Sequence, residues 1–205
     1  LESLPKRERR NGIIEAIKVS LIRDGAFFGQ IEAMADDLAA LKQEALERVV
    51  QRSAELHVEH IATSGDPFEL GSARPLDFGH WAAHKLEQIS KFSVSHGEAV
   101  AIGSAVDLVY SRMMGILDAE TCERVLKLIE RIGFATFSPH LLDNGRSCEP
   151  AILEGIVRYI RVGGEIGGQH GDFPALGVAV AGFVALGSTV LVNHAVFFGI
   201  GDLAA

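Results

Sequence analysis

Apolar residues recur at helical spacing in one segment after another, and that periodicity constrains this chain more than any other feature. In "KRERRNGIIEAIKVSLIRDGAFF" Ile13, Ile14, Ile17 and Leu21 share a helical face, and "RDG" ends the segment. A longer helix or broken pair is expected from about Gln30 to Ala62, with Leu38, Leu41, Leu46, Val49 and Val50 on its apolar face. The Gly, Ser and Pro of "TSGDPFELGSARP" (63–75) read as a loop. Asp77 then reads as the N-cap of a helix running to about Ile89. Further helices are expected from about Ser95 to Gly115, from an Asp cap through "AETCERVLKLIERIG" to Gly133, and within "CEPAILEGIVRYIRVGG". Through residue 164 there is no β–α–β alternation, internal repeat or low-complexity linker, so the expected class is mainly α.

With 205 residues, 48% of them hydrophobic and 22% charged, the chain suits one substantial domain or a domain plus an appendage. A net charge of −8 leaves no basic stripe to neutralise phosphates, which argues against a nucleic-acid partner. It does not exclude an anionic small substrate, because a local Lys/Arg cluster can oppose the global sign. Cys122 and Cys148 stand outside any CxxC pattern and suit a reducing cytoplasm. No signal-peptide pattern opens "LESLPKRERR", and so abrupt an entry into a helix suggests that something upstream is missing. Composition divides the chain into a helical unit (1–168) and an atypical apolar tail (169–205). Residues 173–200 carry no charge and exceed the ~20 apolar residues a bilayer span needs. Ser188, Thr189, Asn193 and His194 interrupt that run, so a buried segment of a globular fold explains it equally well.

"RPLDFGHWAAHKLEQISKFSVSHGEAVAIG" gathers His80, His84 and His96 in a chain with only eight histidines. A cap at Asp77 would set His80 and His84 one turn apart on the same face. A tight turn between Lys91 and Ser95 would fold His96 back against His80, and Gly97 permits close approach. In the first helix Glu15 and Lys18 share a face that is otherwise apolar, poor company for a carboxylate unless something positive meets it. One Glu and two His around a divalent cation make a catalytic zinc set with an open position. Spacing alone does not choose among Glu15, Glu87 and Glu98 as the carboxylate.

The blocks "LPKRERRNGIIEAIK", "DFGHWAAHKLE" and "HGEAVAIG", in that order, resemble the C-terminal helical domain of the sugar phosphate cyclases, the superfamily of 3-dehydroquinate synthase. The resemblance covers roughly residues 1–165. It implies zinc (or another divalent metal such as Co2+) on Glu15, His80 and His96, with His84 as a proton relay and Lys18 facing the substrate's polar groups. It also implies a reaction that borrows NAD: an alcohol is oxidised, phosphate is eliminated, the ketone is reduced, and the opened sugar closes to a carbocycle. The intact protein would be a cytoplasmic homodimer acting on a heptulose or heptulosonate 7-phosphate. The N-terminal Rossmann-like half of such enzymes has no counterpart in these residues, so which residues bind the cofactor is left unknown and the isolated chain is expected to be inactive.

Departures from the family pattern bear on the substrate. Ala73 replaces an arginine that grips a carboxylate, Asp77 replaces an asparagine, and Ser53 aligns where a lysine is expected. Arg74 and Lys85 are the cations left to compensate, and with Asp77 they are the expected substrate contacts. The balance favours an uncharged-end sugar phosphate such as sedoheptulose 7-phosphate, although the retained His84 is the dehydroquinate-type residue. Two other readings are a zinc- or phosphate-binding module without catalysis and a membrane-tethered remnant anchored by 173–200.

Overall fold

The computed structural model describes residues 3–63, 77–113, 115, 117–143 and 147–148. Its helices are α1 (Lys6–Arg23), α2 (Gly25–Ala33), α3 (Ala35–Ala39), α4 (Gln43–Thr63), α5 (His80–Ile89), α6 (His96–Met113) and α7 (Ala119–Ile132). A 3-10 turn (Pro139–Leu141) leads into the two-residue strands β1 (Leu142–Asp143) and β2 (Ser147–Cys148), which pair antiparallel. The mainly α class therefore holds.

The second half of α1 is buried on nearly every side, from Ile13 through Leu21. A helix of that kind belongs at the centre of a bundle rather than on its surface. It packs on α2, α4 and α6; α5 lies on α6, and α7 closes the far side against α3 and α6. Paired charges tie the outer helices: Arg131 with Asp36 at 2.7 Å, and Arg124 with Glu32 at 2.8 Å while its guanidinium lies over the Phe28 ring.

Three expectations are corrected. The run from Gln30 to Ala62 is neither one helix nor a pair: α2, α3 and α4 share it, and α3 and α4 are divided at Leu41, whose φ of 56° lies in the left-handed region. Leu41 is nevertheless only 7% exposed, so its side chain is held in the core across the break. Val50, placed on the apolar face of that run, is 44% exposed. Asp77 does not cap α5; the cap position is Gly79, at φ 74° with no side-chain cap. The left-handed turn favours glycine there.

Gly79 is also where α5 meets α6 most closely. A Cβ added at Gly103 would lie 2.0 Å from the Gly79 carbonyl oxygen. The Gly79 N–H donates to Asp107 Oδ2 at 2.7 Å, and the Trp81 indole N–H donates to Asp107 Oδ1 at 2.8 Å. Asp107 is 3% exposed; burial pushes its pKa well above the carboxylate range, while the two N–H donors pull the other way. The start of α5 is thus fixed by contact on one side and by a buried acceptor on the other.

The loop 63–75 and the segment of the final expected helix lie largely, and the tail 169–205 entirely, outside the described residues, as does the boundary at 168; Cys148, the first residue of that helix segment, is in β2. Among the described residues no helix is long and apolar enough to cross a membrane.

Gly103→Ala should force α5 and α6 apart. The expected cost is about 1–3 kcal/mol, typical of overpacking, read as a lower urea midpoint with an unchanged m-value.

Candidate metal centre and adjoining cavity

Three helices each bring part of the centre. α1 carries Glu15 and Lys18, α5 carries His80, His84 and Glu87, and α6 opens with His96.

The link between α5 and α6 is short and specified at both ends. Past Ser90, the Phe92 N–H donates to the Glu87 carbonyl at 2.8 Å and the Lys91 N–H donates to that of Gln88 at 3.0 Å. These are the two bonds of a Schellman ending, and they place Lys91 (φ 53°) and Phe92 (φ 62°) in the left-handed region. At the other end Glu98 accepts from the Ser95 N–H at 2.8 Å and from its hydroxyl at 2.7 Å, a carboxylate reaching back over the first turn of α6. Arg7 of α1 pairs with the same carboxylate. Gly97 then lets α6 lie on α1: a Cβ there would sit 2.6 Å from Asn11 Cα. The turn expected to bring His96 back to His80 does so, with the ring centroids 5.2 Å apart.

Glu15, His80 and His96 converge. One donor atom from each lies within 4.8 Å of the other two, although the residues come from three helices. His80 Nε2 is 3.3 Å and His96 Nε2 3.7 Å from Glu15 Oε1. Donors on a tetrahedral zinc with ~2.1 Å bonds stand about 3.4 Å apart. Lys18 Nζ pairs with Glu15 Oε2 at 2.8 Å and is itself buried, supplying the positive company that a carboxylate in this setting needs.

Glu15 Oε1 is the informative atom. It is buried and has no hydrogen-bond partner among the described residues, with His80 Nε2 its near neighbour at 3.3 Å. His80 Nδ1 lies between the Phe78 carbonyl, an acceptor, at 3.2 Å and the Lys18 ammonium, a donor, at 3.3 Å. With its proton directed at the carbonyl, Nε2 turns a lone pair toward Glu15; with Nδ1 accepting from Lys18, Nε2 carries the proton instead. In the first arrangement two acceptors face each other, and a second proton on His80 or a metal ion satisfies both. Burial pushes the Glu15 carboxyl upward, but a protonated His80 ring and the Lys18 ammonium outweigh it and hold its pKa at about 2. The donor set and the spare acceptor atom fit a divalent cation.

His84 lies beside this group, its ring centroid 5.6 Å from that of His80 and 5.9 Å from that of His96. Partial desolvation lowers its pKa and the neighbouring His80 adds to this, while Glu87 and Asp77 oppose it. A cavity of about 530 Å³ opens between α1 and α4 beside Glu15, Lys18 and His80. From α4 it is lined by Val50, Ser53, Ala54 and His57. Lys85 is half-buried and is not one of the lining residues, whereas Arg74 and Ala73 lie outside the described residues.

Sequence reasoning passed over His57, which stands one turn after Ser53 on the same helical stripe. That spacing was the available signal.

Residues 12–147 match the protein family described as 3-dehydroquinate synthase C-terminal. The chain belongs to that family. It is 36% identical over 134 residues to the 2-epi-valiolone synthase of Actinosynnema mirum, covering 65% of this chain and 35% of that protein. With the 2-epi-5-epi-valiolone synthase of Streptomyces glaucescens the identity is 34% over 154 residues, 75% of this chain and 38% of the relative. With the 3-dehydroquinate synthase of Symbiobacterium thermophilum it is 36% over 167 residues, 78% and 46% respectively. This 3-dehydroquinate synthase-like chain thus spans less than half the length of the curated relatives it matches. Among solved structures it resembles ValA, the 2-epi-5-epi-valiolone synthase of Streptomyces hygroscopicus subsp. jinggangensis 5008, with a TM-score of 0.66 and 24% identity. The match covers 78% of this chain and 43% of that one. That structure holds NAD+ and Zn2+.

Lys91→Gly should stabilise the protein by about 1 kcal/mol, since glycine adopts the left-handed C′ position without the penalty other residues incur. A raised melting temperature is the expected result.

Proposed function

We propose that this chain is the metal- and substrate-binding half of a sugar phosphate cyclase, a carbon–oxygen lyase that eliminates phosphate from a heptulose 7-phosphate and closes a carbocycle. The observation that carries the reading is Glu15 Oε1, buried and without a hydrogen bond opposite His80 Nε2 and His96 Nε2. Glu15, His80 and His96 would hold Zn2+, or Co2+ in its place. When bound, such an ion acts as a Lewis acid on the alcohol oxygen that NAD oxidises.

The chain's own groups do the rest. Lys18 lines the cavity next to the centre and fixes the charge and orientation of Glu15 while facing the substrate's polar groups. His84, lowered in pKa beside His80, is suited to accept and return a proton near neutral pH. NAD enters from the Rossmann-like half that these enzymes carry and these 205 residues do not supply. The intact enzyme in this reading is a cytoplasmic homodimer.

The cavity favours a substrate end without a carboxylate. Among the described residues its α4 wall presents Val50, Ser53, Ala54 and His57, with no Arg or Lys. Its one lysine, Lys18, already faces Glu15 at 2.8 Å. Asp77 is not one of the lining residues, but it acts electrostatically on His84 beside the centre, and its carboxylate accepts hydrogen bonds that a hydroxymethyl group can donate and a carboxylate cannot. Sedoheptulose 7-phosphate fits this better than a heptulosonate.

Three outcomes are expected. The metal-free chain should take up one Zn2+ per chain by isothermal titration, and His80→Ala should abolish it; undiminished uptake by His80→Ala would refute the metal reading. The 205-residue chain with NAD and Zn2+ should release no phosphate from either sugar phosphate, because the hydride acceptor has no site. Joined to its dinucleotide half, the enzyme should turn over sedoheptulose 7-phosphate in preference to the heptulosonate in a direct competition assay. Preference for the heptulosonate would sink the substrate assignment.

A further inference from the structure

His96 is held at both ends of its ring. Its Nε2 faces Glu15 Oε1 at 3.7 Å, and its Nδ1 lies 3.2 Å from Glu87 Oε2. The ring needs such a hold. The His96 side chain is 46% exposed and stands at the first position of α6, where core packing does little to choose its rotamer. Glu87 is the more buried partner, with a side chain 18% exposed. It lies on the same helical stripe as His80 and His84, and its own backbone carbonyl accepts the Phe92 N–H that ends α5. The Glu87 side chain therefore projects from a position fixed by the Schellman turn.

The consequence is chemical. A carboxylate accepts, so Nδ1 of His96 donates to it, and the neutral ring is left with its lone pair on Nε2, the nitrogen that faces Glu15. His80 also has an acceptor behind it, the Phe78 carbonyl at 3.2 Å from Nδ1, but the Lys18 ammonium reaches the same nitrogen at 3.3 Å while Nε2 faces Glu15. For His96 the acceptor behind the ring leaves the lone pair in front.

We propose that Glu87 is a positioning residue: its carboxylate fixes the tautomer and orientation of His96 so that Nε2 can ligate a divalent cation together with Glu15 and His80. This rests on the metal reading above. It is distinct from a second arrangement, because donor atoms of His84, Glu87 and His96 also lie within 4.8 Å of one another. In that arrangement Glu87 would itself be a ligand, and a second ion would bind. Stoichiometry separates the two.

The test uses the 205-residue chain stripped of metal with a chelator and titrated with Co2+ and then Zn2+. Affinity, stoichiometry and the Co2+ visible absorption are recorded for the wild type, His80→Ala, Glu87→Ala and Glu87→Gln. The melting curve of each metal-free protein is measured alongside. The wild type should bind one ion and Glu87→Ala should bind it about 10–100-fold more weakly, the loss typical of removing an outer-shell partner. The metal-free melting curve should be unchanged, which a merely structural role for Glu87 would not allow. Glu87→Gln, whose amide oxygen still accepts from Nδ1–H, should recover most of the affinity and the wild-type Co2+ spectrum. Glu87→Ala binding within twofold of the wild type would overturn the proposal, as would a second ion per chain that disappears with Glu87. If Glu87→Ala does not fold, Glu87→Asp withdraws the carboxylate by one methylene; weakened binding supports the proposal and unchanged binding overturns it. Failure of the wild type to bind, or binding indifferent to His80→Ala, overturns the metal reading itself and this inference with it.

Discussion

The crossing of α5 over α6 at Gly79 and Gly103 is the constraint on which the rest of the centre depends. No side chain fits between the Gly79 carbonyl and Gly103, so the two helices meet backbone to backbone. Asp107 takes the N–H of Gly79 and the indole N–H of Trp81, which sets where α5 begins and how it is rotated. His80 is the first residue after that point, and its ring direction follows from the rotation. A buried carboxyl raised in pKa is an unfavourable component on its own. Its two hydrogen bonds make removal costlier than retention, because both donors would be left buried without partners.

A second close approach, Gly97 on Asn11, does for α6 and α1 what Gly79 and Gly103 do for α5 and α6. Helices ordinarily stand 8–10 Å apart according to the side chains between them. Removing the side chains at two contacts lets three helices approach far enough for donors on each to meet at bonding range. Arg7 on Glu98 ties α1 to α6, and Lys18 Nζ reaches His80 Nδ1 on α5 at 3.3 Å while pairing with Glu15 within α1. The buried charge on α1 is thereby paired before any ligand arrives.

Much of this was legible in the chain, and what was not has identifiable causes. Apolar periodicity located α1, α6 and α7, and the Asp118 side chain does cap α7 by accepting from the Thr121 N–H. The division at Leu41 escaped because a buried leucine in the left-handed region carries no local signal; tertiary packing holds it there. Asp77 misled because a good capping residue stood two positions before a glycine whose turn the α6 contact dictates. The ambiguity among three carboxylates was real at the level of spacing. Glu98 serves the first turn of α6 and Arg7, Glu87 serves the outer nitrogen of His96, and Glu15 turns a buried oxygen toward both His80 and His96. Those assignments depend on which helices touch, which no one-dimensional pattern records.

The same geometry joins metal chemistry to substrate recognition through α1. Glu15 and Lys18 belong to the centre and also line the cavity, so a ligand in that space lies against both. The opposite wall is a stripe of α4 at i, i+3, i+4 and i+7, running Val50, Ser53, Ala54, His57. α4 is anchored by Arg52, whose guanidinium pairs at 2.7 Å with Asp24, the residue that caps α2. That pair turns the arginine next to Ser53 toward the α1–α2 corner. The charge α4 brings to this level is thereby committed to structure, and the wall facing Glu15 is left with a hydroxyl, two apolar surfaces and one imidazole. Charge in the cavity is therefore decided on the α1 side, by Glu15 and Lys18, the same two residues that set the charge of the centre.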